Sequence, residues 1–414
     1  MIKSKPIHVV LVVCLVAILT ALPSFAAEQE AEQVDYGTIT GQARFYYFTQ
    51  RNKTTGDDFD SIKESLAFGG YLKYETPWIS DHFGAAAAMY ATAPFTSDLN
   101  KESRGGTGLL SSSNRGFAAL GEAYVKARFA ETEARLWRQR IDTPFINSND
   151  SRMLAQTFEA YGLKSKDFDN TELSLFWVDK EKARDTKIFK SMTELAGVNG
   201  KQGGVLMAGA DWTPVEKLPT RFWNYYAPDM DNTFFTQAKY GFDVSEDLGY
   251  HFLFQGVDQR SVGNQVRGKY NAAELGLLGG VDINGVTLDV GGTVVDNSAD
   301  IRNSWGTYVF FNNMMSYAFN RAGEKALYLG AEYDFSRVGA KEFSASIKTV
   351  FGDTPDTGRN ASFDRDEYTL NMNYAFDGNL KGFSILNRWS YQDADAKLGG
   401  KDGFQVRLRC QYNF

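Results

Sequence analysis

The chain has 414 residues, of which 31 are Phe, 21 Tyr and 39 Gly, against only 9 Pro, and 23% are charged. Its formal net charge is -7 at pH 7, which argues against nucleic acid as a partner because that function requires a basic surface. The mean hydropathy of -0.36 is too polar for a bundle of membrane-spanning helices, so the composition favours a strand-rich protein.

The first 26 residues have the pattern of a secretory signal peptide. Lys3 and Lys5 precede an apolar run at 9–22, and small residues stand before the expected cut after Ala26. Its removal would bring the net charge to about -9. No later stretch reaches the roughly 18 continuous apolar residues that a membrane-spanning helix needs. We therefore expect an exported protein without a helical anchor.

Segments of about ten residues, in which apolar and polar side chains alternate, follow one another along the rest of the chain. Such segments are typical of a transmembrane β-barrel, whose strands face lipid on one side and the lumen on the other. The stretch 219–227 could equally be a loop because its aromatic residues are crowded, and the count would then be sixteen. Eighteen strands are predicted, at 38–50, 64–76, 83–93, 117–129, 132–141, 158–166, 171–179, 203–213, 219–227, 232–244, 248–257, 270–283, 286–296, 325–336, 342–352, 366–377, 382–393 and 402–414.

The connections between these strands are alternately short and long. Short turns such as 167–170 and 245–247 alternate with longer connections such as 180–202 and 297–324. Periplasmic turns and outer loops of a barrel alternate in the same way. The predicted organisation is a signal peptide at 1–26, a periplasmic lead-in at 27–37 and one all-β transmembrane antiparallel barrel domain at 38–414.

The last predicted strand shows the two faces most clearly. Its odd-numbered positions include Arg407 and Arg409, and its even-numbered positions are apolar from Phe404 to Phe414. We expect the apolar face to contact lipid and the arginines to face the lumen. Cys410 lies on the apolar face and is the only cysteine after signal removal, so we predict neither a disulfide nor a cysteine metal site.

Basic side chains are predicted to gather on one wall of the lumen. A closed barrel pairs its last strand with its first, which brings Arg407 and Arg409 beside Arg44. Placing such charges in lipid would cost roughly 2 to 4 kcal/mol each at the midplane. They could instead merely hydrate the pore and pair with carboxylates, as Glu332 or Asp334 could neutralise Lys348. The residues assigned to this wall are Arg44, Lys348, Arg388, Arg407, Arg409, Lys126 and Arg128.

Two stretches carry a family resemblance. The sequences at 121–128 (GEAYVKAR) and 143–159 (TPFINSNDSRMLAQTFE) resemble the OprD family of outer-membrane porins and the related major porins of Campylobacter and its relatives. Residues 312–323 and 333–335 support it, whereas 339–343 (GAKEF) departs from the Gly-Val-Pro-Gly-Leu run that is usual in the family. The resemblance implies an eighteen-stranded barrel, often trimeric, whose third outer loop folds inward to narrow the pore.

In this chain that third loop corresponds to residues 142–157. The resemblance further implies that lumen arginines and lysines guide small carboxylate-bearing solutes past acidic groups on the constriction loops. Loop solvation and turn capping are the alternative role for such residues. The residues assigned to the constriction are Asp142, Asn147, Asp150, Arg152 and Glu159.

The remaining sequence offers little for catalysis or for binding metal. After signal removal only His82 and His251 remain, and neither is placed beside a serine near the outer rim as a barrel phospholipase would require. The acidic runs at 57–60 and 353–366 lack the spacing of an EF-hand, although they could bind Ca²⁺. We therefore predict neither an enzyme nor a cofactor.

The predicted function is an outer-membrane porin for passive diffusion of small hydrophilic solutes and ions, with a preference for carboxylate-bearing or anionic ones. A cation-leaning general porin is one alternative, because the net charge is negative, and a structural or adhesive surface barrel is another. The expected partners are outer-membrane lipid, two further copies in a homotrimer and the assembly machinery, which would recognise the terminal Phe414.

Overall fold

The computed structural model describes residues 35–53 and 61–414, so the predicted signal peptide and the acidic run at 57–60 lie outside the described residues. Nearly all regular structure in the described part is β. The strands are β1 (Thr38–Asn52), β2 (Ser61–Glu75), β3 (Phe83–Pro94), β4 (Phe117–Phe129), β5 (Thr132–Gln139), β6 (Thr157–Phe168), β7 (Thr171–Lys182), β8 (Phe189–Ser191), β9 (Val205–Trp212), β10 (Thr220–Tyr226), β11 (Asp231–Ser245), β12 (Leu248–Ser261), β13 (Asn271–Ile283), β14 (Val286–Val295), β15 (Lys325–Asp334), β16 (Phe343–Asp353), β17 (Arg365–Ala375), β18 (Phe383–Ala394) and β19 (Gly403–Asn413).

Helical structure is limited to single turns. The α-helix α1 (Met192–Leu195) follows β8, and four 3-10 turns lie at Glu102–Arg104, Phe335–Val338, Gly378–Leu380 and Ala396–Leu398. Among the described residues, no helix has the length and apolar character needed to cross a membrane.

The strands form one closed antiparallel ring. Each strand pairs with the next, except that β8 is a short addition to β7, which pairs directly with β9. The ring closes where β19 pairs with β1, from Gln42 opposite Asn413 to Asn52 opposite Gly403. The barrel therefore has eighteen strands and one extra, which confirms the prediction; the stretch that could have been a loop is β10, and sixteen strands are excluded.

Apolar and polar side chains alternate along the strands, and this alternation separates the outer face of the barrel wall from its inner face. Large apolar residues face outward, and Phe68, Leu72, Leu277, Val290 and Ile347 are each more than half exposed. A band of this kind around a closed barrel is compatible with hydrocarbon and not with water. Inward positions on the same strands carry polar and charged groups, so the pleat divides a lipid face from a lumen face.

Short and long connections lie at opposite ends of the barrel, as predicted. One of the two-residue turns joins β13 to β14 through Asn284 and Gly285, which both have positive φ (50° and 80°), as a type I′ hairpin requires. Two of the long connections at the other end are loop 3 (residues 140–156), between β5 and β6, and loop 7 (residues 296–324), between β14 and β15.

Both of these loops fold into the barrel. The largest buried apolar cluster contains Phe145 and Ile146 of loop 3, Trp305 and Phe310 of loop 7, and Tyr225 of the wall. One side of the lumen is thus packed with apolar side chains. This confirms the inward-folded third loop that was expected and adds loop 7, which the sequence had suggested only as a long outer connection.

Candidate functional site

Loop 3 is held to the wall of the lumen by one arginine. The guanidinium of Arg44, on β1, donates to both carboxylate oxygens of Asp150, with Nη1 to Oδ1 at 2.7 Å and Nη2 to Oδ2 at 2.6 Å. Nη1 also donates to the carbonyl oxygens of Arg152 (2.7 Å) and Met153 (3.2 Å), and Nε donates to Oε1 of Gln411 at 2.7 Å. A two-point arginine–carboxylate contact is strong and directional. Loop 3 is therefore anchored where β1 meets β19.

Three further arginines line the wall next to this anchor. Arg388 of β18 stands directly opposite Arg407 of β19, and Arg409 lies two residues further along β19. Arg407 donates to the carbonyl oxygen of Met315 at 3.0 Å, and Arg388 donates to the Asn371 side chain. Among the described residues none of the three forms a salt bridge, so their charges are not neutralised locally.

Two arginines from loops complete this group: Arg152 of loop 3 and Arg184 of the connection between β7 and β9. The guanidinium groups of Arg152 and Arg407 lie 5.0 Å and 5.4 Å from the ring centroid of the same residue, Phe48. Burial, together with the positive charges of Arg407 and Arg184, lowers the pKa of Arg152. Arginine keeps its charge in proteins, so Arg152 remains a buried cation close to other cations. We call Arg152, Arg184, Arg388, Arg407 and Arg409 the arginine cluster.

The other basic residues of the predicted wall lie elsewhere. Lys126 and Arg128 are near the short-turn end of β4, where Lys126 forms a salt bridge with Glu75. Their charged groups lie 3.9 Å and 4.3 Å from the ring centroid of Trp78. Lys348, on β16, has no salt bridge to Glu332, Asp334 or any other described residue. The structure thus brings Arg388, Arg407 and Arg409 together and leaves Lys126, Arg128 and Lys348 apart from them.

The predicted acidic groups of the constriction are not gathered on one wall. Asp150 is paired with Arg44, whereas Asp142 lines a cavity of about 860 Å³ together with Arg135 and Arg140. Glu159 lies on β6 rather than on the loop, because strand pairing with β7 already begins at residue 157. Its carboxylate pairs with Arg138 (3.0 Å) and Lys180 (2.9 Å).

Asn147 joins loop 3 to loop 7. Its Nδ2 donates to the Thr307 carbonyl oxygen at 3.0 Å, and its Oδ1 accepts from the Thr307 amide at 2.9 Å. Gly306 has φ +76°, and a Cβ there would lie 2.7 Å from the Asn147 amide nitrogen. The close approach therefore requires glycine, and the two loops narrow the lumen as a connected pair.

Loop 7 is fixed to the wall at two strands. On β13, the buried Glu274 accepts from the Tyr308 hydroxyl. On β17, the Glu367 carboxylate accepts from the amides of Ser316 (3.0 Å) and Tyr317 (2.8 Å). Sequence reasoning missed these anchors, although residues 312–323 had carried part of the family resemblance. A loop lacks the alternation of apolar and polar residues found in a strand, so no sequence pattern identifies its anchoring residues.

Comparisons with known proteins agree with this architecture. The family described as "outer membrane porin, OprD family" matches residues 32–414. Among solved structures, Pseudomonas aeruginosa OpdK with vanillate is 17% identical and covers 91% of this chain and 98% of its own, with a TM-score of 0.79. Pseudomonas aeruginosa OccK9 (OpdG) and a BenF-like porin from Pseudomonas fluorescens Pf-5 are each 19% identical with the same coverage and a TM-score of 0.80. The comparison with curated proteins gave no match.

Proposed function

Because the chain belongs to the OprD family of outer membrane porins, through which small solutes diffuse passively, we propose that its pore favours solutes that carry a carboxylate or another negative charge. The arginine cluster attracts the anionic group, and the paired loops 3 and 7 bring that group close to it. Movement is down the solute gradient, and the mechanism includes no catalytic step and no cofactor.

The observation that carries the proposal is the charge balance at the constriction. The five arginines of the cluster form no salt bridge with any described residue, whereas Asp150 of loop 3, whose carbonyl oxygen accepts from Arg409, is neutralised by Arg44. Unpaired charges of one sign in a narrow lumen focus the electrostatic field on a passing solute. An anion therefore gains more from this passage than a cation does.

A structural neighbour supports the same solute class. The structure of Pseudomonas aeruginosa OpdK was determined with vanillate, which is an aromatic carboxylate. The proposal for this chain extends to small carboxylates in general, because the arginine cluster recognises the charged group rather than the rest of the solute.

Uptake into liposomes tests the preference. Proteoliposomes that contain the porin are mixed with an organic carboxylate or with an organic amine of similar size, and the initial swelling rate is recorded for each. We expect faster swelling with the carboxylate. Faster swelling with the amine would favour the cation-leaning alternative and overturn the proposal, and equal rates would show that the arginine cluster does not discriminate.

Export and assembly are proposed as well. We propose that residues 1–26 are a signal peptide cut after Ala26, that three copies associate within outer-membrane lipid, and that the assembly machinery recognises Phe414. In support, Phe414 is half exposed, and its backbone pairs with Gly41 on β1 at the end of the barrel. N-terminal sequencing of the mature protein and native mass spectrometry in detergent test the cut and the copy number.

A further inference from the structure

Arg44 was assigned from the sequence to the solute-guiding wall, but, unlike the arginine cluster, it forms a salt bridge, with Asp150 of loop 3. Its side chain is only 1% exposed, and Nε, Nη1 and Nη2 all donate to protein acceptors. A guanidinium with this arrangement has little capacity left to contact a solute. Arg44 therefore affects the pore through the segment of the chain that it binds.

What Arg44 holds is the middle of loop 3. The loop leaves the wall at β5 and returns at β6, yet its residues 150–153 are bound at β1 and β19, on another part of the barrel. Two more bonds fix the same segment, from the Tyr46 hydroxyl to the Ser151 carbonyl oxygen (3.1 Å) and from Arg409 to the Asp150 carbonyl oxygen (3.4 Å). The loop is thus drawn into the lumen by this anchor.

The anchor also involves the closure of the barrel. Gln411, which accepts from Nε of Arg44, lies on β19 directly opposite Arg44. The acceptors of Arg44 are therefore supplied by the last strand and by loop 3. Because the guanidinium is planar and rigid, Gln411 helps to orient the edge that grips Asp150.

We propose that Arg44 is a positioning residue, which sets the width of the constriction by clamping loop 3 and does not itself contact the solute. The clamp has a second effect, because the Asp150 carboxylate that it neutralises would otherwise oppose the arginine cluster. This inference does not depend on which solute charge the pore prefers.

Three variants of the full-length protein test the clamp. Arg44→Lys keeps the positive charge but cannot make the two parallel bonds to a carboxylate. Asp150→Asn removes the charge from the loop side and leaves the strands unchanged, so it remains informative if the β1 variant folds poorly. Arg260→Lys is the matched control, because it makes the same exchange at an exposed arginine that pairs with Asp258 on β12 and does not contact loop 3.

Hydrogen exchange of the amides at 149–156 reports directly on release of the loop. The Asp150 side chain is 36% exposed, so the ion pair is only partly buried, and we expect exchange in Asp150→Asn to accelerate by about 10-fold to 100-fold. Arg44→Lys should accelerate it by at least about 10-fold, because its remaining contact is a single point charge. Both variants should also show larger open-channel current fluctuations than the wild type and Arg260→Lys.

The outcomes are distinct for the clamp and for the solute preference. Wild-type exchange and wild-type current fluctuations in Arg44→Lys would overturn the positioning role, because a residue that acts only by its charge would be replaced adequately by lysine. Failure of the carboxylate preference in swelling assays would leave both of these measurements unaffected.

Discussion

Replacing Arg388 with methionine removes one positive charge from the arginine cluster while keeping a side chain of similar width. Arg388 stands opposite Arg407 and donates to Asn371. No described carboxylate forms a salt bridge with it. Its charge therefore acts on the lumen, and its loss should reduce the preference for anions.

The size of the effect follows from Coulomb's law. A solute charge that passes at roughly 6 Å from the guanidinium interacts with it by about 0.7 kcal/mol in bulk water and by about 2.8 kcal/mol at an effective dielectric constant of about 20. Salt in the lumen screens the interaction further, so the lower figure applies. It corresponds to a decrease of about threefold in anion permeability and an increase of about threefold in cation permeability, so the ratio of anion to cation permeability should fall by up to about tenfold.

The assay is the reversal potential of the porin in a planar bilayer with a salt gradient. Arg260→Met is the matched control, because it removes the same charge from an exposed residue that is paired with Asp258 on the outer part of β12. A permeability ratio in Arg388→Met equal to that of the wild type would refute the reasoning. An equal change in Arg260→Met would show that overall charge, rather than charge in the lumen, sets the ratio.

Three further substitutions test the loops. Asn147→Ala removes both hydrogen bonds to Thr307 and should weaken the link between the loops by about 1 to 3 kcal/mol; single-channel recordings should show more frequent transitions, and wild-type records would contradict this. Gly306→Ala places a Cβ against Asn147 at positive φ and should produce the same transitions without removing any hydrogen-bonding group. Tyr308→Phe leaves the fully buried Glu274 without its hydroxyl partner and should lower stability by about 1 to 3 kcal/mol, which an unchanged thermal unfolding midpoint would exclude.

The barrel itself could be predicted because strands carry a local signal. In β19 the alternation of apolar and charged residues fixes which side chains face lipid, and it placed Arg407 and Arg409 in the lumen. The same argument placed Arg388 there on β18. Even β10, whose aromatic residues are crowded, forms a regular strand, because it pairs with β9 on one side and with β11 on the other.

The contacts of the loops could not be predicted in this way. In a strand the two-residue alternation tells which way each side chain points, and a loop has no such repeat. Asp150 was expected to oppose the basic wall, but Arg44, which is 106 residues away along the chain, pairs with it. Arg184 lies in a long connection without any recognisable pattern, and it was not selected. Glu159 was assigned to the constriction although the predicted strand at 158–166 already contained it, and its carboxylate pairs with Arg138 and Lys180 on the neighbouring strands.

The sign of the reversal potential of the wild-type porin tests the central claim most directly. With the arginine cluster unpaired and Asp150 neutralised, the pore should be more permeable to chloride than to potassium in a potassium chloride gradient. A reversal potential of the cation-selective sign would contradict the claim that the arginine cluster governs passage through the constriction.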